Sequence, residues 1–66
     1  MDKVKLAERL RLARGNTPMR VICKELNISA SALSMYESGD RVPRDEVKEK
    51  MANLYKTTVG KLFFNE

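Results

Sequence analysis

Residues 19–38 read MRVICKELNISASALSMYES, and the order of residue types in that stretch sets the architecture. Two short helices that cross through a tight turn need three things: a small residue where their axes approach, a residue tolerant of left-handed backbone in the turn, and inward-facing apolar positions on both arms. Cys23 supplies the first, Asn27 the second, and Ile22, Leu26, Ile28, Leu33 and Tyr36 the third, in the required order. Ser29 stands where a cap is needed, so the second arm is expected to run to Ser38 and to end at Gly39.

Helical punctuation continues on both sides. Upstream, Asp2 can cap a helix whose apolar residues Leu6, Leu10 and Ala13 recur at steps of four and three. Gly15 and Asn16 stop it. Thr17-Pro18 reads as an N-cap followed by proline at the first helical position, which predicts a helix from Pro18 to Leu26. Downstream, Asp40-Arg41-Val42-Pro43 is a loop, and Val47, Met51, Leu54 and Tyr55 mark the buried stripe of a fourth helix. Its first turn carries Asp45 and Glu46 and its end carries Lys56, as the helix dipole favours. Thr57 or Thr58 can cap a final short helix with Val59, Leu62 and Phe63 as its apolar positions. The expected fold is therefore all-α: five helices joined by brief turns, in one compact domain spanning residues 1–66.

Composition narrows the chemistry. With 66 residues the chain suits one small domain, and with 42% hydrophobic against 33% charged residues it should fold. It has no histidine, which excludes imidazole acid-base chemistry, His-activated nucleophiles and imidazole metal ligation. A single cysteine, Cys23, can neither close an internal disulfide nor complete a thiolate zinc site, and its position calls for a small core residue. The serines Ser29, Ser31, Ser34 and Ser38 have no evident base to activate them, so no enzyme, metal or cofactor is expected. No apolar run exceeds three residues and the amino terminus lacks a signal-like stretch, so a cytoplasmic protein with no membrane partner is expected. The formal charge is +4, and it is unevenly spread. Residues 1–24 hold seven Lys and Arg against two acids, whereas the remainder holds six against seven. Such a basic region either faces a polyanion or merely solvates helix surfaces.

The helix-turn-helix window, with Leu10-Arg11 and Gly15 before it and Arg41-Val42-Pro43 after it, resembles the lambda repressor and Cro type of regulator, the XRE family. The likeness continues through residues 51–55 to the ending at Val59 to Phe63. The resemblance implies that the third helix enters a major groove, presenting Ala30, Ser31, Ser34 and Met35 to base edges. The serines could donate or accept, and Ala30 and Met35 could touch a thymine methyl; Met35 could otherwise face solvent or a partner. Met19 lies either at the core edge or on the DNA side. The resemblance further implies phosphate contacts from the start of the second helix with Thr17, Arg20 and Lys24, and from Arg41. It also implies a scaffold ion pair between Glu37 and Arg11.

Two departures from the family pattern stand out. Met19 occupies a position where many relatives carry Gln, and the turn from Gly15 to Pro18 is one residue longer. Because no Arg, Gln or Asn stands ready for bidentate base contact, the expectation is either modest affinity from each subunit or readout that leans on DNA shape and deformability. The adjacent Phe63 and Phe64 cannot both point inward, so Leu62, Phe63 and Phe64 are the expected patch of a homodimer. The function expected is that of a transcriptional regulator, a repressor of phage, mobile-element or bacterial type, bound to a double-stranded operator. With no room for a sensor domain, its control would come from concentration, operator competition or a regulatory protein. The alternative is a helix-turn-helix module repurposed for protein binding, an antirepressor or adaptor, which the uncharged surface of Ala30, Ala32 and Met35 would suit.

Overall fold

The computed structural model describes residues 2–64. Five helices follow one another: α1 (Lys3–Arg14), α2 (Met19–Leu26), α3 (Ala30–Ser38), α4 (Asp45–Leu54) and α5 (Val59–Phe63). No strand occurs among the described residues. The all-helical expectation holds, and most of the ends are made by the residues that the sequence marks. The Asp2 carboxylate accepts from the amides of Val4 and Lys5 at 3.0 and 3.2 Å. Ser29 Oγ accepts from the Ala32 amide at 3.0 Å, and of the two candidate threonines it is Thr58 that caps α5, through Lys61. Asn27 adopts the left-handed conformation (φ 55°, ψ 49°) between α2 and α3.

Two local expectations are corrected. Thr17 does not cap α2, and Pro18 is not its first helical residue. Pro18 itself occupies the cap position in extended backbone, and its carbonyl accepts from Val21 and Ile22. A cap needs a side-chain acceptor on the residue directly before the helix. Proline has none, so the first amides of α2 lack a side-chain partner. On α1 the inward stripe is Leu6, Ala7 and Leu10, while Ala13 is exposed. The core-facing line passes one turn on from Leu10 to Arg14, which is turned inward by the contact described below.

One core joins the five helices. Leu6 and Leu10 from α1 meet Ile22 and Leu26 from α2, Leu33 and Tyr36 from α3, Met51 from α4, and Leu62 and Phe63 from α5. Around them pack Met19, Cys23, Ile28, Val42, Val47, Leu54, Tyr55 and Val59. Within the expected stripe of α4, Met51 is fully buried with Ala52 beside it, and Val47, Leu54 and Tyr55 are half-buried. α1 lies along α3 and α5, and α2 along α3 and α4. The short α5 is held by more than its apolar face: Arg9 donates through Nε to the Leu62 carbonyl at 2.8 Å and through Nη2 to the Phe63 carbonyl at 3.1 Å. A cation is thereby placed at the negative end of a helix.

Candidate nucleic-acid interface

The candidate surface is made by α2, the left-handed turn and α3. Because α3 buries Leu33, Tyr36 and Glu37, its opposite stripe is fixed by the helical period. That stripe is Ala30, Ser31, Ser34, Met35 and Ser38, all exposed. Four of these are the expected readers, and they lie together on one face. Met35 is 39% exposed, the largest apolar group of the set. Ser38 is already engaged: its hydroxyl lies 3.1 Å from the Met35 carbonyl and 2.8 Å from Asp40 Oδ2. The four expected readers therefore offer two free hydroxyls, two apolar groups and no charge.

α2 presents Arg20, Val21, Lys24 and Glu25 to solvent, whereas Ile22 and Leu26 anchor it in the core. Thr17 is exposed in the turn ahead of it, and Met19 is half-buried against the core, so it sits at the core edge. Cys23 is half-buried too, and its Sγ lies 3.7 Å from the Ser29 carbonyl across the turn. Arg41 is exposed in the loop after α3. Among the described residues the ion pairs are Arg14–Glu37 and Lys48–Asp45. Arg20, Lys24 and Arg41 have no carboxylate partner among these residues, so their charges are available to an external anion.

The ion pair beneath this surface differs from expectation. Glu37, only 6% exposed, is held by Arg14 and not by Arg11. Arg14 Nε donates to Glu37 Oε2 at 2.8 Å and Nη2 donates to Oε1 at 2.9 Å. This bond to Glu37 raises the Arg14 pKa against the opposing effect of desolvation. Arg11 instead donates through Nη1 to the Glu37 backbone carbonyl. Arg11 and Arg14 stand three residues apart and face the same neighbour, so sequence could place an arginine there without telling which one takes the carboxylate. The third Arg14 donor, Nη1, reaches the Thr17 carbonyl at 2.9 Å.

The last helix also modifies the expected dimer patch. Leu62 and Phe63 are 5% and 1% exposed, since both complete the core; Phe64 alone is open, at 52%. Lys48 Nζ lies 5.6 Å from the Phe63 ring centre and 5.3 Å from that of Phe64, within reach of both π faces. No cluster of three or more His, Cys, Asp or Glu placed to hold a metal occurs among the described residues. No helix there is long and apolar enough to cross a membrane.

A capped α3 whose exposed stripe is backed by α2 across a left-handed turn defines a small helix-turn-helix module. The chain belongs to the helix-turn-helix domain family, which matches it over residues 5–62 and lies within the XRE and lambda repressor-like group. Membership of this family suggests DNA binding, and the family is typically not enzymatic. No curated protein and no solved structure matches the chain significantly.

Proposed function

We propose that this chain is a sequence-specific transcriptional regulator, a repressor of phage, mobile-element or bacterial type that acts inside the cell by occupying a promoter. The observation that carries the reading is an α2 start without a side-chain cap together with exposed Arg20, Lys24 and Arg41, none with a carboxylate partner among the described residues, on the segments that flank α3. The first amides of α2, with Thr17, Arg20 and Lys24, would take one phosphate run, and Arg41 another. Ala30, Ser31, Ser34 and Met35 would lie in the major groove, with Met19 supporting the start of α2 from the core edge. An uncharged reading face makes phosphate contact the larger part of affinity and leaves selectivity to hydroxyls, methyl contacts and DNA deformability. Two copies on a two-fold operator would each contribute one such face. Because Leu62 and Phe63 are committed to the core, the self-association patch we propose centres on Phe64.

The test is titration of duplex DNA at several salt concentrations. Affinity should fall with salt, and Arg20→Ala should weaken binding evenly across sequences while reducing the salt slope by about one. No complex with any duplex at low salt would sink the reading. The exposure of Val21 and Met35 favours the second reading, a protein-binding adaptor. It predicts that Met35→Ala abolishes capture of a host protein and leaves DNA untouched.

A further inference from the structure

Arg14 ends α1, and its guanidinium reaches two partners, the Thr17 carbonyl ahead of α2 and the Glu37 carboxylate of α3. Thr17, whose carbonyl it holds, lies two residues before the first helical residue of α2; Glu37, whose carboxylate it holds with two parallel bonds, lies in the last turn of α3. Arg11 adds a donor to the carbonyl of the same Glu37. Because the guanidinium is planar and rigid, these bonds fix the separation and tilt between the start of α2 and the end of α3. Both are parts of the DNA-facing surface, yet Arg14 itself lies behind it, half-buried. Thr17 also donates its own amide to the Arg14 backbone carbonyl at 3.2 Å, whereas Pro18 after it has no N–H to give. The turn ahead of α2 is therefore tied to Arg14 twice, through the backbone and through the guanidinium.

We propose that Arg14 is a positioning residue for DNA recognition, locking the amide-bearing start of α2 to the reading face of α3 so that phosphate and base contacts are made in one register. The inference rests on the DNA-binding reading above. A lysine at 14 can neutralise Glu37, but as a point charge on a flexible stem it cannot also span the Thr17 carbonyl and both carboxylate oxygens in one plane. Charge and geometry are therefore separable.

The experiment compares wild type, Arg14→Lys, Glu37→Gln and the core control Met51→Ala. Binding is measured on a duplex selected in vitro from random sequence and on a scrambled duplex, with the folded fraction followed by circular dichroism. After correction for folded fraction, Arg14→Lys and Glu37→Gln should each lose at least about fivefold in affinity for the selected duplex, the worth of one good base contact. Binding to the scrambled duplex and the salt slope should stay within twofold of wild type, because Arg20, Lys24 and Arg41 are intact. Met51→Ala should retain the wild-type ratio between the two duplexes. The amide resonances of Met19 and Arg20 should move in Arg14→Lys and stay in place in Met51→Ala. A preserved ratio in both Arg14→Lys and Glu37→Gln, or the same loss of ratio in Met51→Ala, overturns the inference. Should Arg14→Lys fail to fold, the near-isosteric Glu37→Gln decides alone. A wild-type protein that binds no duplex defeats the DNA-binding reading itself, a result distinct from a wild type that binds and variants that keep its selectivity.

Discussion

Tyr55 closes α4 with its hydroxyl buried, and that oxygen finds no hydrogen-bond partner among the described residues. A buried hydroxyl left unpaired costs about 1–3 kcal/mol relative to one that keeps its hydrogen bonds to water. Tyr55→Phe deletes one oxygen and keeps the ring that packs on the core. The lower end of that range applies because the residue as a whole is only half-buried, giving an expected gain of about 1 kcal/mol. In a domain of this size 1 kcal/mol corresponds to a rise in Tm of about 4–8 °C. Whole domains of this length are stable by only a few kcal/mol, so the change should be plain in a thermal melt followed by circular dichroism at pH 7.

The same hydroxyl supplies an independent check at alkaline pH. Burial pushes its pKa up to about 12 from the ordinary 10, and the negative charge of Glu37 adds to the rise, with the Arg14 guanidinium opposing. Between those two values the folded protein keeps a proton that the unfolded chain has lost. Stability from this group is therefore complete below pH 10 and falls as pH rises toward 12. Solvent at the ring edge keeps the slope below the roughly 1.4 kcal/mol per pH unit of a fully shifted group. The phenylalanine variant has no such loss, and titrations shared by both proteins cancel in the difference. Its advantage over wild type should thus widen above pH 10, and wild-type absorbance at 295 nm should show one late-titrating tyrosine. A Tyr55→Phe protein that melts several degrees below wild type at pH 7 would refute the reasoning, since the hydroxyl would then be making a favourable bond. A gap that stays constant from pH 9 to pH 11.5 would refute the titration half.

Two further stability effects follow from the helix ends. Arg9→Ala removes two charge-assisted bonds from the carbonyls of Leu62 and Phe63, and chemical denaturation should show a loss of about 2 kcal/mol, with amide exchange in α5 accelerating first. Lys56 sits at φ +56° just beyond α4, while Thr57 donates its amide back to the Ala52 carbonyl at 2.9 Å. Glycine adopts that backbone without the Cβ penalty, so Lys56→Gly should raise stability by about 1 kcal/mol, and an unchanged denaturation midpoint would count against it.

Where a residue's role is local, the sequence disclosed it. Asp2, Ser29, Asn27, Gly39 and the apolar residues Ile22, Leu26, Leu33 and Tyr36 act through their own backbone or through the helical period, both of which are written in consecutive residues. The uncharged stripe of α3 was legible for the same reason. The departures all involve a choice between near neighbours that only the packed structure makes. Glu37 is reached by two arginines one turn apart, and the carboxylate goes to Arg14 because that side chain lies on the line continuing from Leu10 toward α3. Ala13 loses its expected place by the same geometry. Phe63 and Phe64 compete for one interior position, and α5 takes Phe63 inward while Lys48 covers both rings.

The departure at Thr17 has a different cause, and it bears on the proposed function. Thr-Pro is a good local signal for a cap and a first helical residue, but the chain leaves α1 through Gly15 at φ +57° and arrives at α2 one residue later than that signal requires. Pro18 then holds the cap position without any side-chain acceptor, and the first amides of α2 are left unsatisfied by the protein's own side chains. In a helix serving only the core, that arrangement forgoes about 1 kcal/mol of capping. Here it falls beside Arg20 and the Thr17 carbonyl that Arg14 holds in place. Under the DNA-binding function proposed above, a local rule for stability is thus broken where free N–H donors would meet a phosphate, and that proposal rests more on the start of α2 than on the neutral face of α3.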